Sequence, residues 1–99
     1  MFEYIISEKA IEDLNFIWNY TAENWSVEQA NRYYNLLVDE IEYVSENFEN
    51  AKNFGNFRKS YKYSKVNSHL LFYKKAENNE MEVVRILHEK MDIKNRISD

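Results

Sequence analysis

Arg85 and His88 are the residues of this chain best placed to do chemistry. They lie within, and at the end of, the run Met81-Glu82-Val83-Val84-Arg85-Ile86-Leu87-His88, which is otherwise mostly apolar. An ionisable group in such a run is costly unless it has a partner or a task. His88, with an ordinary pKa near ~6.5, can give or take a proton at neutral pH. His69 begins the apolar stretch His69-Leu70-Leu71-Phe72-Tyr73 just upstream. Neither histidine has a His-x-x-x-His or carboxylate neighbour at ligand spacing, so no metal and no cofactor is expected. Cysteine is absent, which excludes disulfides and thiolate metal sites and fits a reducing compartment.

Charge is divided along the chain. Residues 1–50 hold eleven acids and two bases, a net of −9; residues 51–99 hold eleven bases and six acids, a net of +5. From Lys52 to Lys75 there are seven bases and no acid. Such a stretch suits either a solvated, lysine-edged sheet or a face that attracts an acidic partner or nucleic acid. Charge alone favours the first. No apolar run approaches the ~20 residues that span a bilayer. Met1-Phe2-Glu3-Tyr4 has no basic region ahead of an apolar one, so no secretory signal is expected, and the cytoplasm is the expected compartment.

These groups need elements to position them. Phe2 to Ile6 reads as a strand. Ser7 can cap a helix with a stripe of Ala10, Ile11, Leu14, Ile17, Trp18 and Thr21. Ala22 to Trp25 reads as a break. Ser26 and Gln29 have capping-box spacing, and Val27, Ala30, Tyr34, Leu37, Ile41, Val44 and Phe48 alternate by three and four through a long second helix. A connection of about four residues makes the pair an antiparallel hairpin. Glu49 to Asn56, which holds the single glycine, Gly55, reads as a loop. Strands are then expected at Arg58–Val66, His69–Lys75 and Met81–His88, joined by turns at Asn67 and at Asn78-Asn79, with a last helical turn after Asp92. The order predicts one two-layer α+β domain over residues 1–99: an N-terminal strand and a helical hairpin packed on an antiparallel sheet of about four strands.

An ordered set of residues runs through nearly the whole chain. It comprises Tyr4-Ile5-Ile6-Ser7, Ala10, Asp13-Leu14, Ile17-Trp18, Tyr20-Thr21, Trp25, Gln29-Ala30, Tyr33, Arg58, Tyr61, His69, Phe72-Tyr73, Val84 to His88 and Met91-Asp92-Ile93. In this the chain resembles the ParE/RelE superfamily of bacterial toxin–antitoxin toxins, and within it the ParE branch. The resemblance implies the RelE/ParE-like fold, a cognate ParD-like antitoxin whose tail masks the toxin, and DNA gyrase as the target, trapped with broken DNA so that replication stops. Such a toxin is not an enzyme. RelE-like members instead cleave mRNA on the ribosome without a metal.

Cleavage through a 2′-hydroxyl needs a base, an acid and a cation on the phosphate. In RelE-like members an arginine precedes the apolar-apolar-Tyr of the third strand; here that position is Leu70, which cannot stabilise an anion. The net charge of −4 also suits ribosome docking poorly, and direct nucleic-acid binding is not expected. Were the chain a nuclease, Lys59, Lys62, Arg85 and His88 would be its working groups. As a gyrase inhibitor, its target contacts are expected among Arg58, Tyr61, His69, Arg85 and His88. Its antitoxin contacts are expected among Trp18, Tyr33, Leu37, Met91 and Ile93.

Plainer roles stand beside these. Trp18 and Trp25 can pack the hairpin on the sheet, and Tyr33, Tyr34, Tyr61, Tyr63 and Tyr73 can fill the core and pair across strands. Arg58 and Arg85 can pair with Glu82 or Asp92; for Arg85 this weighs equally with a target contact. Met91-Asp92-Ile93 can cover the groove between hairpin and sheet edge.

Overall fold

The structure is a computed structural model that describes residues 3–48, 52–54 and 58–97, with side chains at all of these except 52–54, 58–60 and 94. Ser7 starts the first helix. Its hydroxyl accepts from the Ala10 N–H at 3.0 Å, removing one of the unpaired donors of the first turn. Helix α1 (Glu8–Asn24) buries Ala10, Leu14 and Ile17, three positions of the expected stripe. It continues through the residues read as a break, because the Trp25 N–H closes a last turn on the Thr21 carbonyl at 2.9 Å. Ser26 then caps α2 (Val27–Glu46), accepting from the Gln29 N–H at 3.0 Å. That helix buries Ala30, Leu37, Ile41 and Val44, while Val27 and Tyr34, at the outer edge of the stripe, are exposed.

Among the described residues the sheet has five strands: β1 (Glu3–Ile6), β2 (Lys52–Phe54), β3 (Arg58–Val66), β4 (His69–Lys75) and β5 (Glu80–His88), in the order β1-β5-β4-β3-β2. The antiparallel meander β3-β4-β5 is as expected. Its turns use asparagine at positive φ, 51° at Asn67 and 57° and 59° at Asn78 and Asn79, a conformation this residue tolerates better than most.

Two features differ from the expectation. β1 runs parallel to β5, pairing Ile6 with Val83, so the sheet is mixed; the helical hairpin supplies the long crossover that parallel pairing requires. Lys52-Asn53-Phe54, read within a loop, forms a short edge strand against β3. Three residues carry too little alternation to signal a strand; the partner edge supplies the pairing. The rest of the Glu49–Asn56 loop, and Phe2 of the first strand, lie outside the described residues.

The hairpin packs on one sheet face, where Leu71, Tyr73, Met81, Val83 and Ile86 meet Leu14, Ile17, Leu37, Ile41 and Val44. Side chains alternate along a strand, and Phe72 accordingly points to the other face with Tyr61 and Leu87. There Ile97, Met91 and Ile93 cover them; Ile93 begins a single turn, α3 (Ile93–Arg96). The C-terminal segment thus makes a partial third layer. It packs on this face, where the apolar residues Tyr61, Phe72 and Leu87 would otherwise face water, and only Met91 and Arg96 reach the edge of the groove beside the hairpin that Met91-Asp92-Ile93 could have covered. No helix among the described residues is long and apolar enough to cross a membrane.

Candidate functional site

A bulge in β5 creates the site. Phe72 pairs with Arg85 and Tyr73 with Val83, so Val84 is one residue too many and its carbonyl leaves the ladder. The Ser7 hydroxyl donates to that carbonyl at 2.8 Å. Beyond the bulge β1 has ended, and among the described residues the outer edge of β5 from Arg85 to His88 has no neighbouring strand. The Glu89 N–H donates to the Ser68 carbonyl at 2.8 Å; bonded pairs alternate along an antiparallel ladder, so the Ile86 N–H points away from β4. Asp13 of α1 accepts that N–H at 2.9 Å.

Asp13 also holds Arg85. Its carboxylate accepts from Nε at 2.8 Å and Nη2 at 3.0 Å, while Nη1 donates to the Arg96 carbonyl at 2.9 Å. Both side chains of the pair are only 14% exposed. The carboxylate beside it raises the arginine pKa further above its ordinary value, against the opposing effect of burial. This two-point geometry fixes the guanidinium. The expected partners, Glu82 and Asp92, are not used: Glu82 sits 4.0 Å from Lys74, and Asp92 accepts from Asn95.

At the far end of β5, and opposite it on β4, lie the histidines. His69 and His88 are direct cross-strand partners, with ring centroids 5.3 Å apart. The Tyr33 hydroxyl lies 2.9 Å from the Val66 carbonyl and 2.6 Å from His69 Nδ1. A carbonyl can only accept, so the single hydroxyl proton goes to Val66 and the His69 Nδ1–H donates to the tyrosine oxygen. His69 Nε2 therefore carries the lone pair. Burial first, and then the neighbouring His88, push the His69 pKa down to about 4, against smaller upward pulls from Asp13 and Glu89. Burial pushes Tyr33 up to about 12, with a backbone hydrogen bond from Ser68 opposing it. His88 Nδ1 accepts from the Lys90 N–H at 3.1 Å, so in the neutral ring Nε2 holds the proton.

These groups line the floor of a groove of about 800 Å³ between α1 and the open edge of β5. Its outer wall is aromatic. Phe16, Tyr20 and Trp25 are 62%, 52% and 67% exposed, with Phe16 stacked on Tyr20 and Tyr20 tilted against Trp25. Gln29, Met91, Lys90 and Arg96 complete the rim. Three large aromatics are thus left exposed together on one helix face and the turn after it, a contiguous apolar patch of the kind found at interaction sites.

The structure thus brings together five of the expected site residues: Tyr33, His69, Arg85, His88 and Met91. Tyr61 is buried in the second core under the Lys74 ammonium. Lys62 lies over the Phe48 ring and is not a lining residue of the groove. Leu70 packs against the second core. Trp18 donates to Asn31 at 3.0 Å, tying α1 to α2. Leu37 is 1% exposed and has no surface to offer a partner, so its expected contact role gives way to packing. Ile93 packs on the opposite sheet face. Trp25, expected to pack the hairpin on the sheet, is instead exposed at the groove mouth. The side chains of Arg58 and Lys59 lie outside the described residues. Asp13, Phe16, Tyr20, Lys90 and Arg96 join the groove without being among the expected site residues. The aromatics carry a legible signal, since Phe16 and Tyr20 are four residues apart and off the buried stripe.

A family model described as "ParE toxin of type II toxin-antitoxin system, parDE" matches residues 4–93. Toxin ParE1 of Mycobacterium tuberculosis (strain ATCC 25618 / H37Rv) is 32% identical over 90 residues, 91% of this chain and 92% of the relative. Toxin ParE1 of Caulobacter vibrioides is 34% identical over 89 residues, 90% and 91% of the two chains. Toxin ParE of Escherichia coli is 28% identical over 99 residues, 100% of this chain and 96% of the relative. A solved structure titled "Chromosomal ParDE TA system from P. aeruginosa" superposes with a TM-score of 0.77 at 14% identity, covering 89% of this chain and 96% of the other. That last likeness concerns the fold.

Proposed function

Because this chain belongs to the ParE toxin family of type II toxin–antitoxin systems, we propose that it inhibits DNA gyrase in the cytoplasm as a binding protein, not an enzyme. We further propose that a ParD-like antitoxin neutralises it by laying an extended or helical tail in the groove between α1 and β5. The observation that carries the first part is the Asp13–Arg85 fork. A phosphodiester-cutting site aims a cation's donors at the charge of the transition state, and Arg85, the arginine expected among the working groups of such a site, is committed on three nitrogens. The aromatic wall supports the second part, since amphipathic segments dock by their apolar side chains.

Purified toxin added to gyrase and relaxed plasmid should block supercoiling and trap cleaved DNA. Full supercoiling activity at a large excess of toxin, with no trapped breaks, would overturn the proposal.

The RelE-like reading, a ribosome-dependent mRNA endonuclease, draws on the facing rings of His69 and His88. It predicts new mRNA ends when toxin meets translating ribosomes, lost on His88→Ala. Intact mRNA removes it.

A further inference from the structure

We propose that His69, His88 and Lys90 form a carboxylate-binding subsite at one end of the groove, filled by an acidic side chain that stands next to a large apolar residue in the segment the groove receives. The inference rests on the reading that this segment is the antitoxin tail, and it adds which chemistry the tail must carry.

The argument begins with charge. Among the charged residues lining the groove, Asp13 and Arg85 neutralise each other. Lys90 and Arg96 make no ion pair among the described residues, and both stand at the rim. Glu89, the other acid whose charge acts on the histidines, is engaged by Lys65 at 3.0 Å. The groove is therefore cationic on a protein whose net charge is −4, a local reversal that selects an anionic partner.

Hydrogen-bond polarity selects the same ligand. His88 Nδ1 is occupied by the Lys90 N–H, so its Nε2–H is a donor in the neutral ring. Lys90 brings an ammonium. His69, held through Nδ1–H by Tyr33, offers only a lone pair from Nε2 while neutral. A carboxylate beside it would favour protonation there, turning Nε2 into a second donor. The groups facing His69 are Tyr33 of α2, Asp13 of α1, His88 of β5 and Glu89 after it. Asp13 is already paired with Arg85, and Glu89 with Lys65. The Phe16–Tyr20–Trp25 wall runs along the same groove, so the carboxylate must be flanked by an apolar side chain to use both.

The probes are two blocked pentapeptides, leucine–glutamate–phenylalanine–glutamate–leucine and its glutamine counterpart, titrated into the full chain and followed by NMR. The acidic peptide should move the His69 and His88 ring signals and bind at least ~5-fold tighter, a difference near 1 kcal/mol. That preference should vanish in the H88Q/K90Q variant, whose backbone spectrum reports whether it is folded. If the carboxylate returns His69 to its ordinary pKa, affinity for the acidic peptide should rise about 10-fold from pH 7.5 to 5.5. Equal binding of the two peptides, or no binding of either at about 10 mM, overturns the subsite. In a second arm, the product of the adjacent reading frame is co-expressed with the wild type and the variant. Equal capture by both overturns the subsite and leaves the antitoxin reading standing. Capture by neither overturns the antitoxin reading, and the peptide arm still decides the subsite.

Discussion

Removing the Asp13 carboxylate should damage this protein more than any other single change on its helix surface. Asp13→Ala breaks both bonds of the Arg85 fork and orphans the Ile86 N–H. With both side chains 14% exposed, the pair lies far from the solvated regime, where an ion pair contributes about 0–1 kcal/mol. Stranding one partner of a buried pair costs about 3–5 kcal/mol, and an unsatisfied backbone donor adds to this at about 1–3 kcal/mol, only partly independently. We expect a loss of about 3–5 kcal/mol, which at this chain length lowers Tm by at least ~12 °C. Asp13→Asn keeps an acceptor for Ile86 and should lose roughly half as much. The double variant Asp13→Leu/Arg85→Met removes both charges and should recover at least ~2 kcal/mol relative to Asp13→Ala, because no charge is left without its counterpart. Urea unfolding followed by far-UV circular dichroism measures all three. A loss below about 1 kcal/mol for Asp13→Ala, or no recovery in the double variant, would refute the reasoning. If the double variant folds and still blocks gyrase, Arg85 serves the fold and not the target.

Other outcomes follow from burial and protonation. His69 has a folded pKa of about 4 against an unfolded value of 6.5, so the unfolded chain takes up the proton first. Its contribution is constant above pH 6.5 and falls between pH 6.5 and 4, by an upper limit of about 3 kcal/mol that partial exposure reduces to about 1–2; the difference between wild-type and His69→Gln stability across that range measures it. Leu37→Ala should cost about 2–5 kcal/mol in thermal unfolding, since the residue fills the core. Trp25→Ala should change stability by less than about 0.5 kcal/mol yet weaken capture of the antitoxin at least ~10-fold; unchanged capture would mean that the aromatic wall is not the docking surface.

The helical hairpin was legible in the sequence because its apolar positions repeat at helical spacing and both caps are serine. The meander was legible because asparagines mark its turns. Two things were not. The direction of β1 depends on which sheet edge is open, and nothing within Glu3–Ile6 encodes it. The role of Asp13 depends on a bulge at Val84, seventy-one residues away, which shifts the ladder so that one backbone N–H needs an acceptor. Arg85 and His88 stood out as ionisable groups in an apolar strand, but their partners came from other elements. Leu37 looks like a contact residue in the sequence because the helical stripe shows that a residue faces something apolar, without showing whether that is the protein's own sheet, where Leu37 is buried, or another molecule.

The pairing of β1 with β5 has a consequence for how the protein is made. Its first strand emerges from the ribosome some 77 residues ahead of the carbonyl that Ser7 must reach. At ~5–20 residues per second, that is roughly 4–15 s of waiting. Through that interval the nascent chain holds neither the Asp13 fork nor the groove, and a product truncated before Val83 never will. Only when the last strand has been released can the chain close its sheet and open the groove to a partner.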